Sequence, residues 1–162
     1  MIETYIKQFN LQPHPEGGWF AETYRSDEAL AHLPARFSGA RNFATAIYFL
    51  LPGDTFSAFH RIKCDETWHF YDGDMLEVFV IDEQGAMRVI SLGREVGQGQ
   101  VYQATVRRGQ WFASRCKVKE GFSLVGCTVS PGFNFEDFEL ADRALLLQQY
   151  PQHSKHIQAL TR

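Results

Sequence analysis

The stretch from Gly53 to Asp74 concentrates the residue types that can do chemistry. Within it, His60 is suited to accept or donate a proton near neutral pH, because an unperturbed imidazole has a pKa of ~6.5. Glu66 follows six residues later, and a neighbouring carboxylate can orient an imidazole and stabilise its charged form. The pair could form a site for proton transfer or for binding a metal ion. The structural alternative is that the two side chains only hydrogen-bond to each other and to the backbone.

Aromatic side chains accompany this pair. Trp68 and Phe70 can stack on the apolar face of a sugar or a nucleobase, although such residues more often belong to a protein core. Tyr48 or Tyr71 can supply a hydroxyl group. We therefore predict that Tyr48, Trp68 and Phe70 line a ligand pocket together with His60 and Glu66.

A β-hairpin is the element expected to position these residues. His60 lies on its first strand, and Glu66, Trp68 and Phe70 alternate on its second strand, so that they share one face. Gly73 permits the turn that ends the hairpin. The hairpin is predicted to direct His60 and Glu66 into one concavity.

The rest of the chain shows the same β pattern, from Asn42 to Gly132. Short apolar strands recur roughly every eight to twelve residues between Gly and Pro, which is typical of a β-sandwich or barrel. The segment Asp27 to Gly39 has no clear period and is expected to be a loop. The 162 residues are predicted to form a single, mainly β domain.

Short helices are predicted at both ends of this domain. Apolar residues at helical spacing begin at Ile2. Near the other end, Asp142 is a candidate N-cap for a helix that carries Leu145 and Leu146 and is ended by Pro151. Ser154 is expected to cap a last helix.

Two flanking segments have both a structural and a functional interpretation. His14 and Glu16 of HPEGG could border the pocket, but Gly17-Gly18 favours a simple turn. Arg25 could bind an anionic ligand or pair with an acid, and a subunit interface is the first interpretation of its strand. One end of the barrel is expected to be closed by Phe133, Phe135, Asp137 and Phe138.

Composition narrows the classes of partner. The net charge of −3, with Lys and Arg scattered, argues against nucleic acids and anionic membranes. No apolar run approaches the ~20 residues that span a bilayer, and the first residues lack the features of a secretory signal. Cys64, Cys116 and Cys127 form no CxxC pair, so reduced thiols in a cytoplasmic protein are expected.

The spacing of Gly53, His60, Ile62, Glu66 and Gly73 resembles the first conserved motif of the cupin superfamily, Gly-x5-His-x-His-x3or4-Glu-x6-Gly. The second motif, Pro-x-Gly-x2-His-x3-Asn, retains only its glycine, Gly109. Four segments are similar to the subgroup known as DUF985 or cupin 5. They are HPEGGWFAETYRS, HRIKCDETWHFYDG, GQWFAS and VSPGFNFEDFEL.

This resemblance implies an RmlC-like cupin fold, a double-stranded β-helix or jelly-roll barrel with a small-molecule pocket and usually a homodimeric assembly. In typical metal cupins, three histidines and a glutamate hold the ion. Here His60 and Glu66 occupy two of those positions, but Ile62 and Phe112 occupy the others and offer no electron pair. A regular strand directs His69 away from Glu66, and only a bulge would turn it inward.

These observations predict a cytoplasmic, metal-free cupin that binds a small polar or sugar-like ligand, with Phe112 added to the pocket. Metal-free cupins that epimerise nucleotide-linked keto-sugars suggest an isomerase or epimerase, with His60 as general base and Glu66 beside it. Two alternatives stay open. One is a metal-dependent oxygenase or isomerase, and the other is a non-catalytic binding or storage protein.

Overall fold

The computed structural model describes residues 1–162 and confirms a mainly β chain with short flanking helices. The helices are α1 (Ile2–Gln8), α2 (Arg143–Gln149) and α3 (Ser154–Ala159). The strands are β1 (Gln12–Pro13), β2 (Trp19–Arg25), β3 (Ala29–Leu30), β4 (Arg41–Asn42), β5 (Thr45–Pro52), β6 (Ser57–Arg61), β7 (Asp65–Gly73), β8 (Leu76–Ile81), β9 (Met87–Leu92), β10 (Gln103–Val106), β11 (Trp111–Cys116), β12 (Phe122–Ser130) and β13 (Glu139–Leu140).

The first sheet contains six antiparallel strands in the order β1-β2-β5-β12-β7-β10. Buried and less buried residues alternate along β7 from Asp65 to Tyr71. Glu66, Trp68 and Phe70 therefore face the interior, whereas His69 faces the other side of the sheet. This confirms the alternation that the sequence predicts for the second strand of the hairpin.

The second sheet has the order β13-β6-β11-β8-β9, again antiparallel. His60 on β6 lies opposite Phe112 on β11, and the register between these strands shifts between Phe112 and Ser114. The two sheets face each other across one apolar core of twelve buried residues, to which Phe49 and Trp68 contribute from the first sheet and Val80 and Phe112 from the second. The molecule thus has the predicted two-sheet jelly-roll arrangement.

Helices cover the outer faces of both sheets. α1 packs on the first sheet around Leu50 and Leu124, whereas α2 and α3 place Leu146 and Ile157 on the second sheet. None of the three helices is long and apolar enough to cross a membrane.

The predicted cap of α2 is confirmed, because the Asp142 side chain accepts a hydrogen bond of 2.9 Å from the backbone N–H of Leu145. Ser154 is the first residue of α3 and not its cap. A 3₁₀ turn at Pro151–His153 runs directly into the helix, so Ser154 already has helical backbone angles (φ −49°, ψ −42°).

The predicted loop between Asp27 and Gly39 contains one short element. Its strand β3 pairs with β4 in a separate two-stranded ribbon. Arg41 on β4 is buried and donates two hydrogen bonds, of 2.7 and 2.9 Å, to the carboxylate of Asp137. This ion pair links β4, and through β4 the loop, to the segment that carries Phe133, Phe135 and Phe138.

Candidate functional site

A cavity of about 300 Å³ opens between the two sheets. Most of its wall is apolar and aromatic, which is typical of small-molecule sites. Its aromatic residues are Phe20, Phe49, Trp68, Phe133, Phe135 and Phe138. Its ionisable residues are His14, Glu16, Glu22, Arg25, His60, Glu66 and Cys127.

His60 and Glu16 form a buried pair in this cavity. The Nε2 atom of His60 lies 2.8 Å from Oε2 of Glu16, and both side chains are more than nine-tenths buried. The two groups form an ion pair, and Oε2 has no hydrogen-bond partner beyond it. The Nδ1 atom of His60 lies 2.7 Å from the carbonyl oxygen of Ala58. Since a carbonyl only accepts, Nδ1 carries a proton, and both ring nitrogens of His60 are engaged by the protein.

Burial and charge oppose each other at this pair. Burial by itself lowers the pKa of His60, but the carboxylates of Glu16 and Glu66 and the Ala58 carbonyl together raise that pKa above its ordinary value. Burial by itself raises the pKa of Glu16, but His60 lowers it below its ordinary value. The raised pKa of His60 and the lowered pKa of Glu16 each favour the charged form, as expected for an imidazolium beside a carboxylate.

No ion pair offsets the effect of burial on the pKa of Glu66. It lies on β7 with only 8% of its surface exposed, and it forms no ion pair. Burial raises its pKa to about 7, against the lowering effect of His60. The Cys127 thiol lies close to this carboxyl group, and burial and the charge of Glu66 raise the pKa of that thiol well above its ordinary range. Glu66 therefore changes its protonation state near neutral pH.

His14 enters the cavity from the turn that also carries Glu16. Its Nδ1 atom accepts a hydrogen bond of 3.3 Å from the backbone N–H of Glu16. Burial lowers the pKa of His14 despite the nearby Glu16 carboxylate. The neutral ring packs edge-on against Phe20, with centroids 4.7 Å apart.

An ion pair on β2 borders the mouth of the cavity. Arg25 donates two hydrogen bonds, of 2.9 and 2.7 Å, to the carboxylate of Glu22. It also donates to the side-chain oxygen of Asn42 and to the carbonyl oxygen of Phe133. Of the two interpretations of Arg25, the structure shows the pairing with an acid.

Residues 3–141 match the family described as the cupin superfamily, DUF985. The chain belongs to this family. Its fold class is therefore the cupin jelly roll that the sequence predicts.

Three proteins are similar to most of this chain. An uncharacterized protein of Saccharomyces cerevisiae is 29% identical over 147 residues, which cover 84% of this chain and 73% of that protein. A hypothetical protein from Leishmania major is 36% identical with a TM-score of 0.90, and the match covers 98% of this chain and 97% of that chain. A protein from Shewanella oneidensis is 40% identical with a TM-score of 0.89, and the match covers 99% and 96% of the two chains.

Oxalate decarboxylase from Bacillus subtilis is a more distant cupin structure. It is 13% identical with a TM-score of 0.57, and the match covers 91% of this chain and 36% of that enzyme. This likeness concerns the fold alone.

Three of the predicted pocket residues, His60, Glu66 and Trp68, line the cavity. Phe112 lies behind His60, with ring centroids 4.0 Å apart, and supports the imidazole from the core. Phe70 lies in the core between the sheets.

Tyr48 lies on the outer face of the first sheet. There it stacks on Phe9, with centroids 4.5 Å apart, and meets the edge of Tyr71. Its neighbours on β5, Ile47 and Phe49, take the inward positions. The strand alternation therefore separates both tyrosine hydroxyls from the cavity.

The residues present do not fit the metal centre typical of cupins. No group of three or more His, Cys, Asp and Glu side chains is arranged to hold a metal ion. Ile62 takes one ligand position as a wall residue. His69 faces away, with its Nε2 atom 3.0 Å from the Thr128 hydroxyl. His60 Nε2, which would coordinate an ion, is instead paired with Glu16.

Glu16 lines the cavity, although the sequence favoured a purely structural role for its turn. The HPEGG turn is present, with positive φ at Gly17 and Gly18 (110° and 79°). This turn directs the side chains of Glu16 and His14 into the wall of the cavity. The only local signal is the Gly17-Gly18 turn directly before a β-strand, and no sequence pattern relates this turn to His60.

Proposed function

We propose that the cavity binds a small polar, sugar-like molecule without a metal ion, and that Glu66 exchanges a proton with it, as in an isomerase or epimerase. The single observation that carries this proposal is Glu66, a buried carboxyl group without an ion pair in the wall of a small-molecule cavity. A general acid or base works best when its pKa lies near the operating pH. The pKa of about 7 satisfies that condition.

The cavity favours a ligand with both apolar and polar faces. Its aromatic rings offer surfaces on which the C–H face of a sugar ring can stack. The volume of about 300 Å³ lies at the lower end of small-molecule sites and suits a molecule of monosaccharide size. Trp68 adds a buried indole N–H that has no hydrogen-bond partner in the protein.

Glu66 takes the role of base that the sequence suggested for His60. A base needs a free electron pair, and both ring nitrogens of His60 are engaged. In the proposed step, the Glu66 carboxylate accepts a proton from a carbon next to a carbonyl group, and the electron pair moves to the carbonyl oxygen. Return of that proton from Glu66 to the neighbouring carbon, with transfer of the hydroxyl proton to the former carbonyl oxygen, completes an isomerisation with no net oxidation. An epimerisation needs a second acid on the opposite face of the ligand. The imidazolium of His60 supplies positive charge near the enolate.

Proton exchange with solvent tests this proposal. Pentoses and hexoses, both aldoses and ketoses, are incubated with the protein in D₂O and followed by ¹H NMR. We expect the wild-type protein to replace a C–H proton by deuterium in at least one sugar, and Glu66→Gln to slow that exchange by about 100-fold or more. His69→Gln is the matched control, because His69 lies on the outer face of the same strand and should leave the rate unchanged.

Thermal shift measurements with the same sugars detect binding independently of proton exchange, and two of their outcomes oppose the proposal. A sugar that stabilises the protein but exchanges no proton identifies a non-catalytic binding protein. Failure of every sugar in both assays overturns the sugar-like ligand class.

A further inference from the structure

The last residues of the chain pack against the segment that carries His60. The backbone N–H of Phe59 on β6 donates a hydrogen bond of 2.8 Å to the carbonyl oxygen of Leu160. Arg143 on α2 donates to the Thr161 hydroxyl at 2.8 Å and also to the Thr161 carbonyl oxygen. Leu160 and Thr161 are both buried, so the backbone that presents Arg162 is held from two sides.

The Arg162 side chain bridges two separate segments. Its Nη1 atom donates to the carbonyl oxygen of Glu16, and its Nη2 atom donates to the carbonyl oxygen of Phe56 at 3.2 Å. The guanidinium group also lies over the Phe56 ring, 4.5 Å from its centroid. Glu16 belongs to the HPEGG turn, and Phe56 directly precedes β6, which carries His60.

Gly17 leaves room for this bridge. A Cβ atom at Gly17 would lie 2.2 Å from the Phe56 carbonyl oxygen and 2.6 Å from Nη2 of Arg162. The positive φ of 110° also disfavours any L side chain. The turn therefore approaches β6 closely enough for one planar cation to reach both carbonyl groups.

We infer that Arg162 is a positioning residue that holds the Glu16 carboxylate against His60. The Glu16 carbonyl oxygen also accepts a 2.9 Å hydrogen bond from the backbone N–H of Ala58 on β6. Without the guanidinium group, this hydrogen bond alone links the Glu16 carbonyl group to β6. The distance between the Glu16 carboxylate and the imidazole is then no longer fixed. The consequence for ligand chemistry rests on the proposed function, but the geometry of the ion pair does not.

NMR titration of the His60 imidazole tests the inference without any ligand. In Glu16→Gln, burial is no longer offset by the Glu16 charge, and the pKa of His60 should fall below its wild-type value. Arg162→Ala should move the pKa of His60 in the same direction. Arg162→Lys keeps the charge but cannot present the planar, two-pronged donor, so it should restore the pKa only in part.

Arg115→Ala is the matched control. Arg115 lies over the Phe79 ring at 5.1 Å and pairs with Glu77 at 2.8 Å, outside the cavity. It should leave the titration of His60 unchanged.

A purely structural role gives a different result. If Arg162→Ala lowers the melting temperature but His60 titrates as in the wild type, the inference is overturned. If Arg162→Ala does not fold, Arg162→Lys decides, and a wild-type titration in that variant overturns the inference.

The exchange assay separates this inference from the proposed function. Where deuterium exchange occurs, Arg162→Ala should slow it by roughly 10-fold to 100-fold, because misplacement of a group near the reacting centre is costly. The absence of any exchange overturns the proposed function and leaves the titration result standing.

Discussion

The pKa values of two buried carboxyl groups in one cavity are shifted in opposite directions because only one of them has a counter-charge. Glu16 lies against the imidazolium of His60, which keeps its pKa below the ordinary value despite burial. Glu66 has no ion pair, so burial dominates and its pKa rises to about 7. Where the surroundings shift the pKa values of two carboxyl groups apart, the two groups can take different roles in proton transfer.

The raised pKa of Glu66 predicts a pH dependence of stability. Between its unfolded value of 4.5 and about 7, the unfolded chain releases the Glu66 proton first, so rising pH favours unfolding. Relative to Glu66→Gln, the free energy of unfolding of the wild-type protein should therefore decrease by about 3 kcal/mol from pH 4 to pH 8. Urea denaturation of both proteins at the two pH values measures this difference.

A control for this titration is Glu120→Gln, on the exposed turn between β11 and β12. Its stability relative to wild type should stay within about 0.5 kcal/mol across the same range. An equal pH response of wild type and Glu66→Gln would show that folding leaves the pKa of Glu66 at its unfolded value, against the raised pKa.

At the level of elements, the second sheet depends on helices to bury its outer face. Phe59, Phe79 and Trp111 on this face form a cluster with residues of α2 and α3. The helix α2 contributes one fully buried residue, Leu146, whereas its neighbour Leu145 is 65% exposed. Leu146, with the partly buried Leu147 beside it, therefore packs α2 against the sheet, whereas Leu145 does not.

This contrast predicts different costs for two neighbouring substitutions. Leu146→Ala should reduce the free energy of unfolding by roughly 2 to 5 kcal/mol, because it leaves a cavity in the core. Leu145→Ala, with the same chemical change one position earlier, should stay within about 0.5 kcal/mol. Chemical denaturation of the two variants gives the comparison, and similar costs at both positions would contradict the packing of α2 described above.

At the scale of the whole molecule, the resemblance predicts a homodimer, and the incomplete ligand set predicts a protein without a metal ion. Tyr24 and Tyr71 are about half exposed on the outer face of the first sheet, which leaves surface for a second subunit. The incomplete ligand set around His60 and Glu66 favours a protein that contains no stoichiometric metal.

Native mass spectrometry of protein purified without a His-tag checks both properties. We expect twice the 18.6 kDa mass of one chain, without bound Fe, Mn, Ni or Zn. A single-chain mass would contradict the homodimer. One metal ion per subunit would support the metal-dependent alternative over the proposed chemistry, and a co-purified small molecule would identify the ligand directly.

The sequence by itself was sufficient for the fold class and for part of the cavity. The recurrent short strands and the cupin motif predicted the jelly roll, and the alternation on β7 placed Glu66 and Trp68 inward and His69 outward. The facing directions on β7 depend on local periodicity, which a strand converts directly into inward and outward positions. The same rule, applied to β5, accounts for the outward position of Tyr48.

Only the tertiary structure decided which partner His60 has. Glu16 reaches it from a turn in a distant part of the chain, held by Arg162 from the opposite end of the sequence. No local pattern relates these three residues, because their meeting depends on how the turn, β6 and the last residues pack together. The charge states of Glu16 and Glu66 follow from that packing, since burial and the distance to His60 determine both pKa values.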